Sequence, residues 1–561
     1  MIWMLTNRDL NFDNQRIKTI KCSGYSILFE SWEESLQGIS SFVDGSISFH
    51  SNDDHLDANF EFFHGPNSHI DIKNFYSTHH ELLSNSFKVY SDRFGIKKFF
   101  YWIRGDEFII SNDLKAISKQ VGAKPSAENM AVYALTYHFI GGLTAFQDIY
   151  YNKPGEVIEF KNGRLHFSQY WNPEELLAEG KTIAIEDIAK ALEDAVDSSL
   201  KNSSNRISLS LTAGADSKLL FSMLLKKDLS LHAYTYGNLH SIDCRFAAQI
   251  CKDYNIPHSI YDIHFTCDTF QTAALEVINE GQSLCSLHRA HRLEAIKLEA
   301  SFAELMFLGT MGGEFIKGAN HDDYIISDFV FEFSQKQRME ILKNYLIKKR
   351  IRPECVNCEE LFEFFRSQNW CRHPELVDFY GLIEIAAALH HAQNHMLYSK
   401  HFSQIITPFL NLNYLSLLFQ SDYSFLAKKK YTTQFQRRLD NHRFAAELQH
   451  LLNPRLAKYP YNSGFVAREY CLNPIYAAVR SRIRKKLWHY PPNFPLGPWM
   501  REFVLRELNA LVNCDSLIND IFHIDELLTD LKEFYQPITK ESQWLKYTTP
   551  IQMNFILDIF G

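Results

Sequence analysis

Residues 207–224 have the sequence ISLSLTAGADSKLLFSML. The first five residues are apolar or small and predict a buried strand, whereas Leu219, Leu220 and Met223 follow at helical spacing. A strand that turns through small residues into a helix leaves unpaired backbone N–H groups at the helix N-terminus, where the helix dipole favours an anion. We therefore predict a phosphate-binding loop at 212–217.

This loop differs from the two common phosphate-binding motifs. It lacks the Lys and Ser or Thr that end a Walker A loop, and it is not a GxGxxG turn. It resembles the SGGxDS pyrophosphate loop of the ATP pyrophosphatases, and of the asparagine synthetase family in particular. Thr212 replaces Ser and keeps the hydroxyl, while Ala213 replaces Gly and requires a negative φ. The resemblance implies that the loop amides hold the β- and γ-phosphates of ATP.

The first 178 residues predict a β-rich domain. Short alternating runs such as YSILF, SISFH, FKVYSD, KKFFYWI and EFIISN, separated by Gly, Asn and Asp, are typical of antiparallel sheet. Four segments resemble, in order, the glutaminase domain of the asparagine synthetases: 91–97, 111–116, 153–156 and 169–171. The resemblance implies an Ntn-hydrolase-like domain over residues 1–178.

Glutaminase activity is not expected from this domain. The family's nucleophile is a cysteine that becomes N-terminal when Met1 is removed, and the second residue here is Ile2. Cys22, the only cysteine of the domain, cannot use the N-terminal amine as its base. We predict an inactive domain that serves packing, docks a partner or covers the synthetase cleft.

Beyond residue 178, helices alternate with apolar strands, which predicts a parallel sheet. The resemblance implies an ATP-pyrophosphatase (PP-loop) α/β domain over 179–561, with a helical C-terminal cap from residue 325. The strand LHAYTYG is similar to the one whose backbone meets adenine, which places Tyr236 and Gly237 beside the base. Asp243 opens the next helix, and we interpret it as a cap rather than a ligand.

The segment MFLGTMGGEFIKG, residues 306–318, resembles the family's SGxGGDExFxG motif. ATP brings magnesium, which prefers a few carboxylates with water and phosphate oxygens, so the resemblance implies Asp216 and Glu314 as metal ligands. The alternative is that Glu314 only caps its own helix. The residues implied in ATP and pyrophosphate binding are Ser210, Thr212, Ala213, Gly214, Ala215, Asp216, Ser217, Tyr236, Gly237, Gly309 and Thr310.

Met311 occupies the variable position of this motif. That position is Glu in asparagine synthetases and Tyr in β-lactam synthetases, where it takes part in acid/base chemistry, and a thioether cannot transfer protons. We predict that Met311 and Gly312 border a substrate pocket with an apolar wall. The segment 407–411 resembles the family's ExRxPFLD segment, which loses three charges here, at Gln404, Ile406 and Asn411.

Lys458 lies in RLAKYPYNSGF, where the family has the lysine of its RxKxGF segment. The resemblance implies a catalytic lysine that balances charge as the P–O bond breaks. The alternative is a surface lysine ahead of a turn.

A basic amphipathic helix follows. Ile475, Val479, Ile483 and Leu487 form its apolar stripe, and its other face is basic. Such a helix can dock an acidic partner or a membrane surface, but we predict that it packs on its own domain.

Composition excludes several classes of protein. A chain of 561 residues is expected to form two domains or three, and its net charge of −8 without a basic tail does not indicate nucleic acid as the ligand. No run is long enough to span a membrane and the N-terminus lacks a signal pattern, so we expect a cytoplasmic protein without a membrane partner.

A zinc site is a further candidate, with Cys355, Cys358, Cys371 and His373 as its ligands, although free thiols are the default interpretation.

The resemblance implies an ATP-dependent amide-forming ligase that uses ATP and Mg²⁺ to adenylate a carboxylate. Because this chain is expected to lack glutaminase activity and to have an altered acyl pocket, its expected mechanism is most similar to that of the lasso peptide macrolactam synthetases. Their substrate is a carboxylate-bearing peptide, and a precursor-processing protease is a second partner. The alternatives are ammonia-dependent asparagine synthesis, β-lactam formation, or a nucleotide-binding pseudoenzyme that acts as an assembly subunit.

Overall fold

The computed structural model of the protein describes residues 3–8, 17–22, 25–30, 60–64, 86–177, 183–201, 206–318, 326–427, 434–493, 498–534, 538 and 541–561. The strands are β1 Trp3–Thr6, β2 Ile17–Cys22, β3 Tyr25–Glu30, β4 Phe60–His64, β5 Ser86–Ser91, β6 Phe100–Arg104, β7 Glu107–Ser111, β8 Ile149–Tyr151, β9 Glu156–Lys161, β10 Arg164–Gln169, β11 Arg206–Ser210, β12 Ser230–Tyr236, β13 His258–Tyr261, β14 Leu305–Phe307 and β15 Gln404–Ile406.

The α-helices are α1 Leu114–Val121, α2 Ala127–Thr136, α3 Ile185–Leu200, α4 Ala215–Leu224, α5 Ile242–Tyr254, α6 Cys267–Glu280, α7 Ala290–Glu299, α8 Glu314–Lys317, α9 Asp328–Lys336, α10 Met339–Lys348, α11 Cys358–Ser367, α12 Asn369–Arg372, α13 Val377–Tyr380, α14 Ala392–Tyr398, α15 Leu412–Gln420, α16 Gln434–Leu452, α17 Ala467–Leu472, α18 Pro474–Leu487, α19 Pro498–Val512, α20 Leu517–Ile521, α21 Ile524–Glu533 and α22 Glu541–Phe560. A π-helix spans Gly381–His391.

Two sheets form the N-terminal part of the chain. One has the order β2-β3-β1-β7-β6-β8 and the other β10-β9-β5-β4. Neighbouring strands are antiparallel except for β4 and β5, which run parallel. The sheets face each other, since the rings of Phe108 and Phe160 lie 5.2 Å apart and those of Tyr101 and Phe167 lie 5.4 Å apart. The predicted β-rich region is thus present, whereas its Ntn-hydrolase identity stays a prediction and the SISFH run lies outside the described residues.

The nucleotide-domain prediction concerns the third sheet, which is parallel throughout with the order β13-β12-β11-β14-β15. From β11 the chain proceeds through β12 to β13 on one side and then returns to β14 on the other. Ligands of such sheets bind outside the carboxyl ends of the strands at the point where the order reverses. That point lies between β11 and β14, so a ligand is expected at the loops after these two strands. The protein is therefore a mixed α/β fold with a parallel sheet and many helices.

Strand β15 was not predicted. Its three residues lie in a region whose sequence predicts helices, yet they pair with β14 at the edge of the sheet. A three-residue strand has too little periodicity to be predicted locally, because its partner strand decides its conformation.

Within the predicted helical cap, the helical segment 374–397 is interrupted. It divides into a 3₁₀ turn, α13, the π-helix and α14. Long π-helical segments are rare and occur mostly at functional sites. This one ends at His391, which reaches the loop after β14.

The last helix packs against helices from both the N-terminal and the C-terminal part of the chain. Helix α22 packs against α1, α2, α6 and α19, and the Ser118 hydroxyl donates a hydrogen bond to the carbonyl of Phe560. One hydrophobic cluster extends from Met4 to Phe560. The boundary between residues 178 and 179 stays a prediction, since the core crosses it without a break.

Helix α18 packs on its own domain as predicted, but its apolar stripe is exposed and is not the packing face. Ala477, Ala478 and Ser481 on the opposite face are buried instead. No helix within the described ranges has both the length and the apolar character needed to cross a membrane.

Candidate functional site

The predicted phosphate loop joins β11 to α4 as expected. Inside it, the Thr212 N–H donates to the Ser217 hydroxyl over 3.2 Å and the Gly214 N–H donates to Thr212 Oγ1 over 3.0 Å. Ala213 is not among the described residues with positive φ. Its backbone therefore meets the requirement for a negative φ that replacement of the family's Gly by Ala imposes. The loop is therefore held from within by its own hydroxyl groups, at the N-terminus of α4.

Asp243 fixes the loop from outside. Its Oδ1 accepts a hydrogen bond from the Ala213 N–H over 2.9 Å, while Ser241 is the residue that caps α5. Our interpretation of Asp243 as a helix cap is wrong for that reason. Burial raises the pKa of Asp243, and the Ala213 N–H lowers it. The Ala213 amide, assigned to phosphate by resemblance, is already bonded to a carboxylate in this structure.

A second segment of chain covers the loop. The Asn462 N–H donates to the Ala213 carbonyl over 3.0 Å, and Lys218, which is fully buried, donates to the Pro460 carbonyl over 2.7 Å. The Lys218 ammonium also lies 4.6 Å from the ring centroid of Tyr461. Burial lowers the pKa of Lys218 to about 7. Lys218 thus attaches α4 to the segment that follows Lys458, a contact that the sequence pattern does not indicate.

The loop after β14 reaches the phosphate loop through glycines. A Cβ atom on Gly309 would lie 3.2 Å from the Ser217 nitrogen, and one on Gly312 would lie 2.9 Å from the Asp216 carboxyl carbon. A Cβ atom on Gly313 would lie 3.3 Å from Asp216 Oδ2. Side chains larger than hydrogen would separate the two loops at these positions. The structure therefore brings the two predicted motifs into direct contact.

Asp216 and Glu314 face one another across this contact. The pKa of Asp216 is raised to about 7, chiefly by burial and also by the Glu314 carboxyl, while Lys317 and the Gly313 N–H act to lower it. Glu314 Oε2 is buried and has no hydrogen-bond partner among the described residues. A carboxylate oxygen without a partner beside a second carboxylate is the donor set that a hard divalent cation accepts. The residues present fit a magnesium ion.

Lys317 and Tyr414 complete the surroundings of Asp216 and were not predicted. Tyr414 is buried, and burial followed by the charge of Asp216 raises its pKa. Its hydroxyl has no hydrogen-bond partner in the described part of the chain. A lysine and a phenol beside the carboxylate pair offer further donors to phosphate oxygens.

His391 joins the loops after β14 and β15. Its Nδ1 lies 2.6 Å from Thr310 Oγ1, and its Nε2 lies 3.3 Å from Thr407 Oγ1. The pKa of His391 is lowered to about 3, chiefly by burial and also by the charges of Arg292 and Arg289. The imidazole is therefore neutral at physiological pH and positions Thr310 rather than carrying charge.

Met311 adopts a backbone conformation that is uncommon for a residue with a side chain. Its φ is +70°, and only 3% of its surface is exposed. Such backbone strain persists where the surrounding structure imposes it and is frequent at functional sites. Because the thioether belongs to the hydrophobic core, its contact with a substrate stays a prediction.

The predicted adenine side lies at the end of β12. Gly237 has φ +117°, and a Cβ atom there would lie 2.4 Å from the Asn493 carbonyl oxygen. The Asn238 N–H donates to the same oxygen over 2.6 Å. Tyr236 is half-buried, with its ring 5.7 Å from that of His291. Asn493 therefore packs on the backbone that the resemblance assigns to the base, a contact that the sequence did not indicate.

Lys458 is not joined to the phosphate loop. Its side chain is exposed, and no hydrogen bond or ion pair joins that side chain to the described residues, although 460–462 contact the loop.

The described ranges contain no cluster of three or more His, Cys, Asp or Glu side chains that could hold a metal ion. Within the zinc candidates, Cys358 contacts the Pro353 carbonyl and His373 stacks on Tyr380.

Comparisons with known proteins give distant structural likenesses. No protein-family model matches the chain, and no curated protein is similar enough to match. A solved NH₃-dependent NAD synthetase of Campylobacter jejuni is similar at 14% identity over 34% of this chain and 97% of its own, with a TM-score of 0.18. The NMN synthetase of Francisella tularensis is similar at 13% identity over 41% of this chain and 95% of its own, also at 0.18.

A third similar structure is the glutamine-dependent NAD⁺ synthetase of Acinetobacter baumannii, determined with ADP. It shares 13% identity over 45% of this chain and 62% of its own, with a TM-score of 0.18. At these scores we draw no conclusion about fold or function from the likeness. The resemblance to asparagine synthetases stays a prediction that rests on the quoted motifs and on the site geometry.

Proposed function

We propose that the protein is an ATP-dependent carbon–nitrogen ligase that forms an acyl-adenylate. The observation that carries the proposal is the contact of Asp216 with the glycine loop that leads to Glu314, at the reversal point of a parallel sheet. A helix N-terminus favours phosphate, and the carboxylate pair suits the cation that accompanies it. Each feature alone is common in α/β proteins, but their junction at the ligand position of the sheet favours ATP.

In this proposal the loop at 212–217 holds the β- and γ-phosphates. Asp216 and Glu314 would hold Mg²⁺, which supplies positive charge to the phosphate oxygens. A substrate carboxylate oxygen attacks the α-phosphorus, the bond to the bridging oxygen breaks, and pyrophosphate leaves with that electron pair. An amine then attacks the acyl carbon and loses a proton, and AMP leaves. The amide and AMP are the products, with Lys458 as the predicted group that neutralises charge on pyrophosphate.

For the acyl substrate we propose a peptide that carries both the carboxylate and the amine, so that the product is a macrolactam of the lasso peptide type. Met311 and the uncharged positions Gln404, Ile406 and Asn411 support an apolar pocket over the charged one of an asparagine-forming site. Ile2, which lies outside the described residues, supports the absence of glutamine hydrolysis. A precursor-processing protease would deliver such a peptide.

The test is an incubation of the pure protein with ATP, magnesium and candidate linear peptides, followed by mass spectrometry. Ring closure removes one water from the peptide, and an analogue with its side-chain carboxylates converted to amides is the matched control. Glutamate release from glutamine is measured in the same samples and is expected to be absent. Tight ATP binding without turnover across a broad substrate panel would indicate a nucleotide-binding assembly subunit instead.

A further inference from the structure

Helix α18 exposes a continuous apolar stripe to solvent. Ile475 is 60% exposed, Val479 52%, Ile483 53% and Leu487 68%, and Leu472 just before the helix is 77% exposed. Single exposed apolar residues are ordinary on protein surfaces. A contiguous set on one helix indicates an interaction surface instead.

The stripe faces away from the protein because the helix is held from its other side. Ala477, Ala478 and Ser481 are buried against the small cluster that contains Tyr461 and Phe465. Positions 475, 479, 483 and 487 cover an arc of about 120° at 100° per residue. An apolar arc of this width is typical of a helix that lies with one face against an apolar surface.

Helix α18 carries only positive charges. Although the net charge of the chain is −8, the helix has no acidic residue and five basic residues: Arg480, Arg482, Arg484, Lys485 and Lys486. Arg480 and Arg484 pair with Glu469, whereas Lys485 and Lys486 are exposed. Lys486 falls within the arc of the stripe, where its methylene chain can lie along apolar material with the ammonium at a polar boundary.

We propose that α18 binds the surface of a membrane that contains anionic lipids. The stripe would enter the boundary between headgroups and acyl chains, and the basic residues would contact lipid phosphates. Surface binding differs from spanning, so it requires no long apolar helix. The proposal does not depend on the ligase activity, because α18 contributes no residue to the site around Asp216.

Two observations favour a lipid surface over other occupants. A symmetric dimer through α18 would place one basic helix against another, which like-charge repulsion opposes. Trp488 and Tyr490 follow the helix, half-buried beside Phe246, and these residue types prefer the interface of a bilayer. An acidic helix of another protein would satisfy the charges but gives no role to this aromatic pair.

The experiment is sedimentation of the whole protein with vesicles of phosphatidylcholine alone and with an equal mixture of phosphatidylcholine and phosphatidylglycerol. We expect binding to the mixed vesicles only, weakened by added salt. Ile483→Glu and Lys486→Glu should each weaken binding by about fivefold or more. The matched controls lie on α10: Ile347→Glu, at an equivalent exposure of 54%, and Lys343→Glu should bind like the wild type.

Thermal unfolding of each variant establishes that it is folded before its binding is compared. Failure of the wild type to sediment with the mixed vesicles would overturn the proposal. Equal loss of binding in Ile347→Glu, or equal binding to neutral vesicles, would overturn it as well. Lipid-independent dimers that Ile483→Glu dissociates would assign the stripe to a second copy of the chain and contradict it.

Discussion

The carboxyl carbon of Asp216 lies 2.9 Å from the position that a Cβ atom would occupy on Gly312. Because of this contact, the loop after β11 and the loop after β14 form one site. A ring carbon of Phe409 lies at the same distance from that position, so a side chain on residue 312 would meet both groups. The approach of Asp216 to the second loop therefore depends on glycine at this position.

Gly312→Ala is expected to move Asp216 and to abolish Mg-ATP binding. Overpacking at such a position costs about 1–3 kcal/mol of folding free energy. The control is Gly105→Ala, where φ is +62° and the added methyl group meets nothing within 4 Å. That control carries only backbone strain of about 1 kcal/mol and should keep Mg-ATP binding. Thermal unfolding with and without Mg-ATP separates the two effects.

Asp216→Asn and Glu314→Gln are each expected to keep the fold and to lose at least about tenfold in ATP-dependent activity, because each removes a proposed metal ligand. Mg-ATP should raise the unfolding temperature of the wild type but not of these variants. Asp228→Asn, at an exposed position at the end of the same βα unit, is the matched control. Full activity in both site variants would show that the pair does not hold the metal.

Lys458→Ala should lower kcat by about tenfold or more and leave the KM for ATP nearly unchanged, since the predicted contact strengthens only as pyrophosphate leaves. The exposed lysine Lys252, replaced by alanine, is the control. Steady-state kinetics on both variants decides between a catalytic and a surface lysine. Identical kcat values for the two would assign Lys458 to the surface.

Local pattern was sufficient for the strand, loop and helix around Asp216, which follow from short-range rules: a buried β run, small residues and a helical repeat. The glycine loop after β14 was predicted from the resemblance of residues 306–318 to a family motif. The meeting of the two loops at Gly312 also follows, because carboxyl ends of neighbouring parallel strands lie at one edge of the sheet.

Short-range rules do not predict contacts between residues that are distant in the sequence. Asp243 bonds to Ala213 over thirty positions of sequence, and His391 reaches both Thr310 and Thr407 from a π-helix. Neighbouring residues do not determine which backbone amide a carboxylate will meet. For the His391 contacts, the sequence does offer a signal: His390 and His391 lie inside an apolar run. A pair of polar side chains in a buried helix requires hydrogen-bond partners.

The stability of the protein is expected to depend on pH through Glu384. Burial raises the pKa of Glu384 in the π-helix to about 7, and its Oε1 accepts a hydrogen bond from Asn369 Nδ2 over 2.6 Å. The folded state therefore retains a proton that the unfolded state releases from about pH 4.5 upward, so this group's stabilisation falls as the pH rises through about 7.

Glu384→Gln removes that dependence and keeps the acceptor for Asn369. We expect the variant to unfold at a higher temperature than the wild type near pH 8, with the difference shrinking or reversing near pH 5. Glu533→Gln, an exposed position at the end of α21, is the control and should follow the wild type. A pH-independent difference between Glu384→Gln and the wild type would contradict a raised pKa.

The most direct test of the ligase account is to identify the nucleotide products. The protein is incubated with Mg-ATP, with and without a peptide that is cyclised, and the nucleotides are separated by chromatography. Attack at the α-phosphorus predicts AMP and pyrophosphate in equal amounts, formed slowly alone and faster with the peptide. Formation of ADP and inorganic phosphate would contradict the account.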